Sequence, residues 1–212
     1  MKKLISYYQQ LFLDHKNWLL VAVGWFALGG CFGAVVGVLW PDQVMGFIKG
    51  LAEKYAHTPP AGFSAALWLF LHNFLSAALC MLLGVVVGLA PVFEMVANGF
   101  AIFSVMVIAL HGGHHGVGFS LLFLVVAILP HGIIELPTTI LAAAIGLKIG
   151  WAWLSPSAEG RRLQVLKTNF IAGLCALPGI ASLLFAAALI EAFVTPCLIH
   201  LVIGPSPLHV GP

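Results

Sequence analysis

The sequence predicts an all-α polytopic membrane bundle of about five spans, one of them broken, with a short interfacial helix in the first loop. Three observations carry that prediction. The chain is 61% hydrophobic and only 8% charged, with a mean hydropathy of +1.08, which excludes a soluble globular class. Apolar runs long enough to cross a bilayer, about 20 residues each, recur along the 212 residues and leave no room for a sizeable extramembrane domain. Prolines, glycines and charges separate these runs, so residues 1–212 read as a single integral membrane domain. A net charge of +2 with no basic, aromatic-interleaved stripe excludes nucleic acid as a partner and leaves the lipid bilayer as the first one.

The first 17 residues are polar and carry Lys2, Lys3 and Lys16 ahead of span one, Trp18 to Trp40, which Pro41 ends. That run is long enough to span and has no small-x-small cleavage site, so it reads as a retained anchor. In the loop 41–64, Val44, Phe47, Ile48, Leu51 and Tyr55 recur at helical spacing, with Lys49, Glu53 and Lys54 on the other face, the pattern of a helix lying on the interface. Span two covers 65–90 and stops at Pro91. Span three covers 92–110, interrupted by Glu94, Asn98 and Gly99, and the loop His111-Gly112-Gly113-His114-His115-Gly116 follows.

The run 117–150 is too long for one straight span and too short for two with a turn. Pro130 and Pro137, with Gly132 between them, predict a break there, either a kinked span or a half-helix ahead of a full one. Backbone freed at membrane depth must be covered by protein or a polar cavity, so the break is expected to face inward. A polar linker with Glu159, Arg161, Arg162 and Lys167 leads to span five, 170–194. Pro196 disrupts the pattern, and the tail from Gly204 reads as loose.

Basic residues cluster at the amino terminus and in the 148–167 linker. Five spans put both on one side, which predicts a multi-pass protein of the cell membrane with a cytoplasmic amino terminus and an outside carboxyl terminus. Cys31, Cys80, Cys175 and Cys197 form no C-x-x-C pair and read as small buried hydrophobes. Two stripes at four-residue spacing, Gly29/Gly33/Gly37 and His72/Ser76/Cys80/Gly84/Gly88, predict close helix packing, with intrachain packing favoured over a homodimer seam.

An imidazole and a carboxylate inside an apolar run cost several kcal/mol, about 2.5 or more for a charged group, unless paired, hydrated or metal-bound. His131, Glu135 and Thr138 fall at i, i+4 and i+7, one helix face. They read either as a hydrogen-bonded pair that fixes helix register or as metal ligands or an acid and base. His111, His114, His115, His72 and Glu191 are further candidate ligands for a divalent metal such as Zn, should the fold bring them together. Solvated loop histidines remain the simpler reading, as does a hydrated interface for Glu94 and Glu191. Nucleophile chemistry lacks a motif: there is no G-x-S-x-G around Ser64, Ser76, Ser104, Ser120 or Ser182, and no phosphate-binding glycine loop.

Taken together, Asn73, Asn98-Gly99, the block Pro130-His131-Gly132-Ile133-Ile134-Glu135-Leu136-Pro137, Gly146 and Glu191-Ala192-Phe193 resemble the stage II sporulation protein M family. The resemblance covers span two to the end of span five. It implies a multi-span membrane protein of the kind whose namesake acts in engulfment, in a complex with cell-wall-degrading partners, although many relatives occur in organisms that form no spores. It marks Asn98, His131 and Glu135 as family positions, with Asn73 and Glu191 as weaker matches, and assigns none of them a reaction. Asn73, Asn98, Gly99, Pro130, Gly132, Pro137 and Thr138 read as buried polar or structural positions. His72, where the family leads one to expect Asn, and the histidine loop depart from the pattern.

The leading functional expectation is a membrane-integral scaffold or assembly protein acting in envelope or cell-wall remodelling through other membrane or envelope proteins. An intramembrane metal-dependent hydrolase using His131 and Glu135 is the first alternative, and an enzyme is the less favoured class. A transporter or channel built on a discontinuous helix is the second.

Overall fold

The computed structural model describes residues 10–11, 13–54, 62–112, 117–155 and 160–203, all helix and connections. Helix α1 runs Lys16–Leu39 and α2 Pro41–Lys54; α3 is Phe63–Leu83, α4 Leu89–Gly112 and α5 Val117–Leu154. Helix α6, Arg162–Leu189, passes through a π turn at Ile190–Val194 into α7, Thr195–Ile203. Five segments are long and apolar enough to span a membrane: Lys16–Leu39, Phe63–Leu83, Leu89–Leu110, Val125–Leu154 and Arg162–Val202. The predicted bundle is thus present, with α2 where the interfacial helix was expected. On α2, Val44 is buried while Met45 and Phe47 are exposed, so part of its apolar face meets no protein. Tyr55 lies outside the described residues.

Helix α5 is the hub, in contact with α1, α3, α4, α6 and α7. Its carboxyl-terminal half makes this possible. Residues 142–147 are buried on every side, and the run Ala142-Ala143-Ala144-Ile145-Gly146 presents little bulk to its neighbours. Small side chains let helix backbones approach, and in lipid that approach yields dispersion contacts that the solvent cannot match. Two apolar clusters meet on this half: Met81, Ile145, Ile149, Ile180 and Leu184 in one, Ala22, Cys80, Met95, Ala144 and Leu147 in the other.

Both glycine stripes pack within the chain. Gly29 and Gly33 of α1 lie against the backbone of Val96 and Phe100 on α4, and Gly99 returns the contact against Phe26. Gly84 and Gly88 of the second stripe face Gly146 and Gly150 of α5. That stripe does not continue along one helix, because α3 ends at Leu83 rather than near Ala90. Residues 84–88 form a turn that goes left-handed at Val87 (φ 54°) and Gly88 (φ 74°). Pro91 is therefore not a terminator. It sits in the first turn of α4, where its missing N–H would have no partner in any case.

Two further expectations from proline are corrected. Helix α5 is continuous through Pro130 and Pro137, so of the two expected forms the half-helix ahead of a full span is the one overturned and a single proline-bearing span stands, and α7 runs through Pro196. A proline removes one amide donor, and a membrane helix bears that loss where neighbouring helices and hydroxyls take up the freed groups. The carbonyl that Pro137 leaves without an amide partner is that of Ile133, and the Thr138 and Thr139 hydroxyls add bonds just beyond it, to the carbonyls of Ile134 (2.6 Å) and Glu135 (2.9 Å). At about 1.5 Å per residue, the 38 residues of α5 extend to about 57 Å, well beyond the hydrocarbon thickness. The fifth segment likewise starts at Arg162, earlier than the expected 170, and reaches Ile203 through the π turn.

The cysteine expectation holds only in part. Cys80 is buried, but Cys31, Cys175 and Cys197 are exposed, and all four are free. An apolar run does not tell a core-facing position from a lipid-facing one, since both are dry. The same applies to Leu20, Leu28, Phe32 and Leu129, which are exposed on the outside of the bundle.

At one end of the bundle, the Lys148 ammonium donates to the Asp14 carbonyl (3.3 Å), joining the amino-terminal segment to the carboxyl-terminal end of α5. Trp18 packs on Trp151 at 5.8 Å, and the Trp153 indole N–H donates to the Val85 carbonyl at 2.9 Å. Tryptophans at this level fit an interfacial belt. His15, just ahead of α1, is buried, and its Nδ1–H donates to the Leu11 carbonyl at 2.7 Å. Burial pushes its pKa below the ordinary 6.5; the Leu11 hydrogen bond opposes this, the Lys148 charge adds to it, and Asp14 opposes it.

Gly99→Ala should destabilise the protein by about 1–3 kcal/mol, because its methyl would meet the Phe26 backbone. Gly24→Ala, with open space around it, should be neutral or slightly stabilising. Equilibrium unfolding in mixed micelles measures both, and equal effects would refute the α1–α4 contact. A depressed His15 pKa favours the neutral ring in the fold, so its stabilisation is present above pH 6.5 and lost as pH falls through the lower folded-state value. His15→Gln should therefore lessen the drop in melting temperature on acidification below that pH, and an unchanged pH profile would rule out His15 as a source.

Candidate functional site

One helical turn separates His131 from Glu135, so both side chains lie on one face of α5. Thr138 follows on the next turn and is buried. The π turn brings a third ionisable group to this face. Its wider backbone loop is stitched by Thr195, whose hydroxyl donates to the Ile190 carbonyl at 3.4 Å, and Glu191 lies at its start. His131, Glu135 and Glu191 each offer a ligand atom, and the three atoms lie within 4.8 Å of one another. All three residues are half-buried.

The expected pairing of His131 is not the one found at its inner nitrogen. Nδ1 is buried and has no hydrogen-bond partner. A buried polar atom without a partner costs about 1–3 kcal/mol, and among the described residues Nδ1 of His131 is the one such side-chain atom. A cavity of about 320 Å³ opens beside the cluster between α4 and α5, lined among others by Asn98, Ile102, His131, Gly132, Glu135 and Thr139. Asn98, His131 and Glu135 thus share one polar-lipped space within apolar walls. In such a place a carboxylate–imidazole set can hold a divalent ion, pass a proton, or orient a polar ligand.

A second polar group ties α3 to α4. The Glu94 carboxylate accepts from the Ser76 hydroxyl at 2.8 Å and from the Asn98 amide at 3.2 Å, and that amide also donates to the Glu94 carbonyl at 3.0 Å. Glu94 is therefore an interhelical acceptor rather than a merely hydrated interface group. Asn98 belongs to both features, bonded to Glu94 and lining the cavity. The Ser104 hydroxyl donates to the Phe100 carbonyl (2.6 Å), and the Gly33 carbonyl of α1 lies 3.2 Å from it; Ser182 donates to Pro178 (2.8 Å). These hydroxyls are engaged with backbone.

Of the other candidates, His72 is exposed and stacked on Trp68 at 5.4 Å, and it is not part of the cluster. His114 and His115 lie outside the described residues, and so does the side chain of His111. Asn73 is half-buried on α3, Gly99 is buried against α1, and Gly132 lines the cavity; Pro130 is half-buried and Pro137 exposed. Glu191 was expected either as a hydrated interface group or as a candidate metal ligand, beside the histidine loop or converging with His131 and Glu135. The structure places it beside His131 and Glu135, and the signal that made it a candidate was a carboxylate in a largely apolar run from Phe170 to Val194.

A family model described as stage II sporulation protein M matches residues 19–196. No curated protein and no solved structure matches the chain. The match takes in α1 as well as the later helices, and it includes every residue of the cluster and cavity.

The Ser76–Glu94 link should show a coupling of about 0.5–1.5 kcal/mol in a double-mutant cycle of Ser76→Ala and Glu94→Ala, read by unfolding in micelles. Additive effects would mean that the hydrogen bond contributes nothing to stability.

Proposed function

Starting from the fact that this chain belongs to the stage II sporulation protein M family, we propose that it is a membrane-integral scaffold for envelope or cell-wall remodelling, acting through protein partners. What carries the reading is how its polar interior is spent. Ser76, Glu94, Asn98, Ser104, Thr138 and Thr139 all bond helix to helix or a helix to its own backbone, which makes a rigid body rather than a set of reactive groups. Outside the five spans, the described residues amount to α2, the first two turns of α5, a short amino-terminal stretch and short connections. A rigid bundle with little outside it acts by presenting surfaces. The partially uncovered face of α2, with Met45 and Phe47 exposed, is one surface for a neighbouring membrane protein or for the lipid interface.

The same reading places the amino terminus in the cytoplasm and the carboxyl terminus outside. Lys16, Lys148, Arg161, Arg162 and Lys167 all lie on the amino-terminal segment, the end of α5 or the start of α6, and the Lys148–Asp14 contact supports a common side for them. The alternative of transport through a discontinuous helix loses its basis, since α5 is unbroken.

Purification from native membranes should recover the chain together with a cell-wall-degrading enzyme, and deletion of its gene should alter envelope morphology. Recovery without such an enzyme, together with an unchanged envelope, would refute the scaffold reading.

A further inference from the structure

We propose that His131, Glu135 and Glu191 form a binding site for one divalent transition-metal ion of the Zn²⁺ class, clamping α5 to the π turn and keeping a coordination position open to the cavity. This rests on the geometry of the cluster alone and stands or falls independently of the scaffold role.

Charge comes first. Two carboxylates and an imidazole have ligand atoms within 4.8 Å of one another inside an apolar bundle. Two ionised carboxylates so close in a low dielectric repel strongly and are poorly solvated, whereas a dication makes the set neutral. A single proton would remove their mutual repulsion but leave the set with one negative charge, whereas a dication leaves none.

Donor chemistry comes next. One imidazole nitrogen with two carboxylate oxygens suits a borderline first-row ion, and the imidazole disfavours the all-oxygen shells of Mg²⁺ and Ca²⁺. His131 has a ring nitrogen not committed to any other described group, since its buried Nδ1 has no hydrogen-bond partner. Metal–ligand bonds of about 2.0–2.1 Å in tetrahedral geometry put ligand atoms about 3.3 Å apart. The ligand atoms already lie within 4.8 Å of one another, so coordination asks them to draw together by about 1.5 Å at most.

The backbone is also suited to the task. A π turn widens the helix locally and is often found where a side chain must be delivered to a site. Here it lies at Ile190–Val194 and carries Glu191. His131 and Glu135 come from a second, sequence-distant element, so an ion joins α5 to the end of α6. Three protein ligands beside a cavity of about 320 Å³ match the open arrangement of a reactive site rather than a closed structural one. Asn98, whose amide is bonded to Glu94, lines the same cavity.

The test uses full-length protein in detergent, carrying no histidine tag, stripped with chelator and titrated with Zn²⁺ and with Co²⁺ as a spectroscopic probe. The expected result is one equivalent bound per chain, a raised melting temperature, and intense visible Co²⁺ bands of four- or five-coordinate geometry. X-ray absorption of the Zn²⁺ form should show a single imidazole among oxygen ligands. Binding should weaken about 100-fold or more in Glu135→Gln and Glu191→Gln, which keep side-chain volume, and in His131→Ala, and it should persist in His72→Ala and when His111, His114 and His115 are all replaced by Ser. Any of three results overturns the proposal: no saturable binding by the wild-type chain, more than one imidazole in the coordination shell, or affinity lost with the loop histidines and kept in Glu191→Gln. Should a glutamine variant fail to fold, the wild-type absorption spectrum alone decides, because its imidazole count does not depend on any variant.

Discussion

The close passage of α5 through the other helices is the constraint on which the rest of the structure depends. Gly146 and Gly150 lie against Gly84 and Gly88 so tightly that a methyl group at Gly84, Gly146 or Gly150 would collide with its neighbours. In water such a contact would add to a hydrophobic driving force that dominates anyway. In a bilayer the lipid tails are as apolar as leucine, so close approach of backbones is itself a principal source of helix association. The consequence is geometric. Once the small-residue half of α5 is surrounded, its other half must emerge between α4 and the end of α6, and His131 and Glu135 are carried there.

The polar residues divide by what they are bonded to. Ser76, Glu94 and Asn98 satisfy one another across α3 and α4, and Thr138 and Thr139 turn their hydroxyls back on α5. Such bonds cost no unpaired group and hold neighbouring helices in register. His131, Glu135 and Glu191 differ in that two acids and an imidazole converge while Nδ1 stays without a partner. Among the described residues that nitrogen is the one buried side-chain polar atom without a hydrogen-bond partner, which sets this cluster apart from the bonded groups. Asn98 belongs to both places, bonded to Glu94 while lining the cavity.

Proline was the least reliable guide in the sequence. Pro91, Pro130, Pro137 and Pro196 each read as a terminator or a break, and each lies within a helix. The reason is the solvent. Water offers a freed carbonyl an easy partner and lets the chain depart, whereas lipid offers none, so leaving the helix costs more than losing one hydrogen bond within it. Glycine was more reliable, because its effect is steric and survives a change of solvent. Gly29 and Gly33 were legible as a packing stripe, and the structure supplies the matching surface on α4. The cysteines failed as burial markers for a related reason: dryness on both sides of a helix removes the contrast that marks a core residue in a soluble protein.

The sequence by itself determined the solvent, the number of spans, the interfacial helix and the two most conspicuous members of the site. These follow from residue-by-residue transfer energies and from one helical turn between His131 and Glu135, and both are local. Only the tertiary structure decided that Glu191, 56 positions beyond Glu135, completes the group while His72 stays outside it. No periodicity relates Glu191 to Glu135. Their meeting depends on the angle at which α6 crosses α5 and on a π turn, and both are set by side-chain packing between elements rather than by the pattern within either.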